Sequence, residues 1–387
     1  MIQIVNKHDC CGCTACASAC NSHAISMDMD EEGFFYPHVN LQLCTNCSLC
    51  ERVCPIIRYD TIVDKNINPT IFALYHRDDS IRQASSSGGV FAALVDYAFL
   101  RNGIVYGAVY DKGFVVKHKK AENKEEAMLF RGSKYVQSDM LNIYIGVKRY
   151  LDNGRYILFS GTPCQVEGLK CFLRKRYANL TTVDILCHGV PSPKVFSDYV
   201  SFIRRNSDFE LTKIYMKDKT FGWKYPNLRL YFGSHVSQFN TVLSNLWNKI
   251  YYGHLVTRPS CYTCRFTNYH RSGDITIGDF WGIEKVYPKI DMDKGISLIM
   301  LNNNKGLEVW NCIKEQFEYI PSNIKECVQP NLQHPVCEPV NRDAFWMDYQ
   351  KFGFDGIAYK YWGVTKKELL KNRIKTLINN LREMVGI

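Results

Sequence analysis

Residues 10–20 read CCGCTACASAC, residues 44–54 read CTNCSLCERVC, and the two runs share one spacing. Cys10, Cys13, Cys16 and Cys20 form C-x2-C-x2-C-x3-C; Cys44, Cys47, Cys50 and Cys54, followed by Pro55, repeat it. No other feature constrains the chain as tightly. Three thiolates on a tight loop can cap three corners of one iron–sulfur cube, while the fourth, displaced along a short helical turn, reaches the neighbouring cube. The spacing therefore predicts one 4Fe-4S cluster on Cys10, Cys13, Cys16 and Cys54, and a second on Cys44, Cys47, Cys50 and Cys20. A zinc module is the alternative, but it normally draws its ligands from two separated pairs, often with histidine. Two matching four-cysteine runs argue against it.

Nine of the 17 cysteines lie in the first 54 of 387 residues, so the thiols serve a local purpose. The opening residues MIQIVNKHDC show no basic stretch leading into an apolar one. The longest apolar run, GVFAALVDYAFL, is too short for a bilayer and contains Asp96. The expectation is a cytoplasmic chain, in which clustered thiols read as metal or redox groups and not as disulfides. With 46% hydrophobic and 22% charged residues, the composition is that of a globular protein. The head resembles a bacterial-type two-cluster ferredoxin domain, with two departures. Asn21 follows Cys20 where proline is usual, and Cys11 is surplus to the spacing and reads as a free or supporting thiol.

Charge divides the chain as the cysteines do. Residues 1–69 hold four Lys/Arg and eight Asp/Glu, a net −4, against +14 for the remainder. A basic body suits acidic partners, such as phosphate-bearing cofactors or an acidic electron carrier like ferredoxin or another redox protein. No dense basic block or recognisable nucleic-acid motif is present, so no nucleic-acid partner is expected. The divisions expected are a head at 1–60, a linker at 61–69, a body in two parts at 70–150 and 151–350, and a helical segment at 351–387. The fold class expected is an α+β ferredoxin-like two-cluster head joined to an α/β body with a mixed, partly parallel sheet.

Within the body, IFALYH (71–76) reads as a strand and VFAALVDYAFL (90–100) as a helix stopped by Asn102-Gly103. IVYGAVY (104–110) and FVVKH (114–118) read as a hairpin, with helices following near 122–129 and 139–151. YILFS (156–160), a helix over 164–177 and TTVDIL (181–186) form a strand–crossover–strand unit, which implies a parallel pair. Loops at the carboxyl ends of such strands share one sheet edge, where open α/β folds bind ligands. Here they carry GTPC, ending in Cys164, and CHGVPSP, beginning with Cys187. SCYTC adds Cys261 and Cys264 on a loop before the strand DITIGDF (274–280). These four cysteines are expected to converge on a third metal site, 4Fe-4S or zinc.

Other features carry weaker signals. SSSGG (85–89) before a helix suits a phosphate or a plain N-cap turn. His188 beside Cys187 suits proton transfer or a structural role. Cys171, Cys312, Cys327 and Cys337 have no ligand spacing and read as packing residues. In KKELLKNRIKTLINNLREMV, Leu369, Leu370, Ile374, Leu377, Ile378 and Leu381 fall on one helical face. Packing of that face on its own domain is the ordinary expectation, with peripheral membrane or partner contact as the alternative.

RGSKYVQSD (131–139), FSGTPCQVEGLKCFL (159–173), DILCHGVPSPKVF (184–196), RPSCYTC (258–264) and SGDITIGDFWGIEK (272–285) together resemble the coenzyme F420 hydrogenase/dehydrogenase beta-subunit family, over about residues 70–302. That resemblance implies FAD beside 4Fe-4S clusters, with electrons passing between clusters, flavin and a substrate or deazaflavin-type acceptor. It assigns Cys164, Cys187, Cys261 and Cys264 to a cluster. It places Ser86, Ser87, Gly88 and Gly89 by the flavin phosphates, with Gly161, Thr162 and Gly189 on the flavin-side loops. No G-x-G-x-x-G fingerprint supports FAD independently. The sequence thus reads as an iron–sulfur flavoprotein oxidoreductase acting on an unidentified small molecule. An electron relay without its own substrate, and a zinc-bearing structural or nucleic-acid-binding protein, are the competing readings.

Overall fold

The computed structural model describes residues 1–62, 68–225, 227–233 and 236–385, so residues 63–67 of the expected linker lie outside the described residues. In the head, helix α1 (Ala15–Ala19) packs on α2 (Leu49–Arg52) and on a hairpin of β1 (Ile25–Met29) and β2 (Phe35–Val39). The two cysteine runs share a backbone path as well as a spacing. Gly12 and Asn46, two residues after the first cysteine of each run, have φ of 68° and 54°. Thr14 and Ser48, directly after the second cysteine, have φ of 66° and 55°. Positive φ is uncommon outside glycine, so its recurrence at matching places marks the same tight loop built twice.

The body centres on an eight-stranded sheet. Its strands are β3 (Thr70–His76), β4 (Ile104–Tyr110), β5 (Val116–Ala121), β6 (Ile157–Gly161), β7 (Leu180–Ile185) and, after a separate three-stranded sheet of β8 (Leu211–Asp218), β9 (Asn227–Phe232) and β10 (Val236–Gln238), β11 (Ile275–Asp279), β12 (Ser297–Leu301) and β13 (Phe317–Ser322). The order is β13-β3-β12-β11-β7-β6-β4-β5. The centre, β4, β6, β7 and β11, is parallel, and the flanking strands pair antiparallel, so the body sheet is mixed as expected. One face is covered by α3 (Val90–Leu100), the other by α4 (Ile143–Asp152) and α5 (Pro163–Leu173). Central strands buried on both faces explain the nearly continuous apolar runs. The smaller sheet packs with α6 (Pro193–Arg205), α7 (Val242–Tyr252) and α8 (Arg342–Trp362) around Trp247 and Phe345.

Three expectations need correction. The second hairpin strand begins at Val116, because Phe114 takes left-handed φ (68°) inside the turn. The crossover helix stops at Leu173 and not at 177, because Arg174 also turns left-handed (φ 57°). In α9 (Lys366–Val385) the expected apolar stripe is not the buried one: Leu369 is buried, but Leu370, Ile374, Leu377 and Ile378 are exposed. Asn372 and Thr376 face inward instead, because both hydrogen-bond to the buried Gln238 of β10. The side chains of Leu381 and Arg382 lie outside the described residues. No helix among the described residues is long and apolar enough to cross a membrane.

The head sits directly on the body. Arg342 of α8 forms a buried two-pronged pair with Glu32, its Nη1 donating to Oε1 at 2.9 Å. Gly33 has φ of 86°, and a Cβ there would lie 2.3 Å from Lys194 Cβ. Only glycine permits that approach.

Candidate metal centres and the adjoining cavity

Cys10, Cys13 and Cys16 line one small apolar cavity with Cys54, brought across from the second run by the packing of α1 on α2. Ile2, Ile4, Met27 and Ile56 complete its walls. This is the first ligand set that the spacing predicts. Of the second set, Cys50 is buried and its Sγ accepts the Ile2 N–H at 3.2 Å. Cys20 Sγ accepts the Ala24 N–H at 3.3 Å, Cys44 is half-buried and Cys47 is exposed. The Leu49 N–H draws the Cys47 thiol below its ordinary range.

The body set is built by strand ends. β6 and β7 run parallel, so the loops leaving Gly161 and Ile185 emerge on one edge. Cys164 enters on the first turn of α5, where Pro163 supplies a helix-ready φ and Gln165 Oε1 accepts the Thr162 N–H. Cys187 lies on the loop after β7. Cys261 sits inside a short helix, Pro259–Tyr262, and not on the expected loop. Arg271 ties the stretch after Cys264 to the end of β7: it pairs with buried Asp184 at 3.0 Å and donates to the carbonyls of Phe266 and Ile185. Cys164, Cys187, Cys261 and Cys264 thereby line a single cavity of about 400 Å3.

Among the described residues no three His, Cys, Asp or Glu side chains are gathered closely enough to hold a single metal ion. A cubane spreads its ligands over four iron corners, so thiols placed around one cavity can serve it without meeting at a single point. Burial, followed by Cys164 and Cys264, pushes the Cys187 thiol up to about 12.

Cys11 joins the two centres. It is buried and lines both the head cavity and the body cavity. Cys13, together with burial, pushes its thiol well above the ordinary range, and Gln137 Nε2 donates to its carbonyl at 3.1 Å. Of the cysteines expected to pack, Cys171 and Cys327 are buried, whereas Cys312 and Cys337 are exposed.

A second body cavity, about 270 Å3, shares Thr162, Gln165 and the Cys187–Val190 stretch with the first. Ser86, Ser87, Gly89, Gly161, Thr162 and Gly189 line it. Gly88 instead packs on the sheet, where a Cβ would lie 2.4 Å from Leu74 O and 2.8 Å from Ser297 N. Gly89, at φ 99°, begins α3 without a side-chain cap, and Val90 and Phe91 of its first turn also face the cavity.

His188 lines both cavities, and burial lowers it to about 4, so it is neutral near pH 7. Other wall residues escaped the sequence reading. Gln165 Nε2 donates to Ser138 Oγ at 2.9 Å; that hydroxyl meets His118 Nδ1 at 2.8 Å, and His118 Nε2 donates to Ser160 O at 2.9 Å. The Ser160 carbonyl can only accept, which settles the tautomer. Lys134 Nζ donates to the carbonyls of Leu129, Phe130 and Arg131, and burial lowers it to about 7. Asp279 accepts from Trp223 Nε1 at 2.8 Å and pairs with buried Lys217. Ser138, Lys134, Gln165 and Asp279 all lie within the motif blocks quoted above, which was the signal that could have found them; His118 had none.

Residues 154–325 match the family model for the C-terminal part of the coenzyme F420 hydrogenase/dehydrogenase beta subunit. Residues 9–56 match that of the 4Fe-4S dicluster domain. The resemblance read from the motif blocks is thus shown, and the chain is an electron-transfer iron–sulfur protein related to those beta subunits. Among solved structures, a chain of the F420-reducing NiFe hydrogenase complex from Methanosarcina barkeri is 18% identical, with a TM-score of 0.47 over 76% of this chain and 92% of that chain. No curated protein shows significant sequence similarity to it.

Proposed function

We propose that this chain is an iron–sulfur flavoprotein oxidoreductase, exchanging electrons between 4Fe-4S clusters, FAD and a small-molecule substrate. One observation carries the reading: three cavities adjoin in series. The head cavity meets the cysteine-lined body cavity at Cys11, and that cavity meets the second one at Thr162 and Cys187–Val190. When bound, the clusters supply single-electron transfer and the flavin the exchange between one- and two-electron chemistry.

The chain's own residues have separable tasks. Cys10, Cys13, Cys16 and Cys54 would hold one head cluster, Cys20, Cys44, Cys47 and Cys50 the other, and Cys164, Cys187, Cys261 and Cys264 the body cluster. The α3 N-terminus at Gly89, with Ser86 and Ser87 beside it, suits a phosphate through its free amides and dipole. Ser87 Oγ donates to Ile296 O at 2.7 Å, which holds that turn in place. His118, locked by Ser138 and Ser160, supplies a fixed polar edge and not a mobile proton. His188, neutral and shared by both cavities, is the group placed to take a proton from the substrate side. The basic body favours docking of an acidic electron carrier.

The test is anaerobic purification with iron, labile-sulfide and flavin analysis, beside Cys164→Ala and Cys264→Ala. The expected result is a brown protein with flavin near one per chain, and one cluster fewer in each variant. Iron-free protein after reconstitution would reject the reading.

A further inference from the structure

Among the described residues four arginines are buried, and three of them pair with a carboxylate. Arg82 meets Asp291, Arg271 meets Asp184 and Arg342 meets Glu32. The fourth, Arg258, is 0% exposed and has no carboxylate partner among the described residues. Its Nε donates to Cys10 O at 2.8 Å, Nη2 to Phe35 O at 3.0 Å and Nη1 to Gln137 Oε1 at 3.0 Å. Nη2 also lies 3.6 Å from Cys10 Sγ, and the guanidinium sits over the rings of Tyr36 and Phe34. These contacts satisfy its hydrogen bonds and leave its charge uncompensated. An uncompensated buried cation is costly, because the ion has lost its water and gained no opposite charge. A counter-charge is therefore expected within reach.

The fold supplies one candidate. Arg258 N–H donates to Val190 O at 3.0 Å, fixing it to the loop that carries Cys187, and it lies three residues before Cys261. Its side chain crosses from there into the head. Gly12, inside the first cysteine run, is shaped around it: a Cβ there would lie 2.8 Å from both Arg258 Nη1 and Gln137 Nε2. A 4Fe-4S cluster with four thiolates is anionic in both oxidation states, and more so when reduced.

We propose that Arg258 is the buried counter-cation of the cluster held by Cys10, Cys13, Cys16 and Cys54, and that it sets this cluster's reduction potential above that of its twin in the head. This rests on the cluster reading above. A fixed positive charge favours the more negative, reduced state, so it raises the potential. The cluster beside the body then becomes the station where the electron rests before crossing at Cys11. Arg258 is a positioning and tuning residue and not a ligand.

The test is an EPR-monitored redox titration of the full-length protein purified anaerobically, with Cys10→Ser identifying the signal of this cluster. Arg258→Gln should shift its reduction equilibrium at least tenfold toward the oxidised form, about 59 mV for one electron, with the other clusters unmoved. Arg258→Lys, which keeps the charge, should retain most of the wild-type potential. Gln137→Glu places a carboxylate on Nη1 without removing the arginine, and should lower the same potential; it decides the matter if Arg258→Gln does not load iron. Full iron with an unmoved potential in Arg258→Gln or Gln137→Glu would overturn the proposal, as would an equal shift in Arg258→Lys. A wild-type protein without cluster signals would instead overturn the cluster reading itself.

Discussion

Gly168 of α5 lies directly beneath Cys13 of the head: a Cβ at 168 would stand 2.9 Å from Cys13 Cβ and 3.0 Å from its Sγ. It would also stand 2.9 Å from Tyr144 Oη, whose hydroxyl donates to Gln165 O. The helix that presents Cys164 to the body cavity is therefore the floor on which the first cysteine run rests.

Gly168→Ala tests that floor. Glycine to alanine inside a helix normally stabilises by about 0.5–1 kcal/mol. Here the added methyl meets Cys13, and overpacking of this kind costs about 1–3 kcal/mol. The steric cost wins, so the variant should melt below wild type in a thermal scan and retain less iron per chain. A variant more stable than wild type, with full iron, would show that the head does not press on α5.

Cys11 should prove dispensable for iron binding. Cys11→Ala is expected to keep the wild-type iron and labile-sulfide content, whereas Cys13→Ala should lose about one cluster's worth. Iron analysis of the two variants side by side separates a bridging thiol from a ligand.

The Glu32–Arg342 pair bolts head to body. Burial raises the Glu32 carboxyl, and Arg342 opposes that rise. Removing one partner of a buried pair costs about 3–5 kcal/mol; Glu338, 3.8 Å from Arg342 Nε, compensates in part, so Glu32→Gln should fall at the low end. Urea unfolding measures the loss. Glu32→Met with Arg342→Met should recover much of it, since no lone charge then remains buried.

Acid should weaken the fold through His118. Burial lowers it to about 4 in the folded chain, against about 6.5 when unfolded. Between those values the unfolded state holds the proton and the folded state does not. Stability therefore rises with pH across that window and is lost as pH falls from about 6.5 toward 4, by up to about 3 kcal/mol. Urea midpoints at several pH values should fall more steeply for wild type than for His118→Asn, and parallel slopes would refute the assignment.

Cysteine spacing made the gathering of Cys10, Cys13, Cys16 and Cys54 around one cavity legible, because three thiols on one tight loop are a local matter, written within eleven residues. The body cysteines were legible for a different reason: strand, helix, strand and their turns place Cys164 and Cys187 on one edge before any tertiary contact is known. What escaped depends on distant partners. Arg258 meets Cys10 across 248 positions, and nothing in RPSCYTC announces that reach. His118 is a single histidine on an edge-side strand, and its partners Ser138 and Ser160 arrive only when β5, β6 and the chain between them assemble. The apolar stripe of α9 misled because two polar residues, Asn372 and Thr376, found a buried amide on β10, and hydrophobic periodicity has no account of such a partner.

The recurrence of left-handed residues at Gly12 and Asn46, and at Thr14 and Ser48, means the head alone comes close to a twofold-symmetric object. Two identical cradles would be nearly degenerate, with no preference for where an electron settles. Docking breaks that symmetry. One cradle is pressed against Gly168, Gln137 and Arg258, while the other leaves Cys47 in water. In the reading proposed above, any preference between the two cradles would come from the asymmetric seat that the body gives the head.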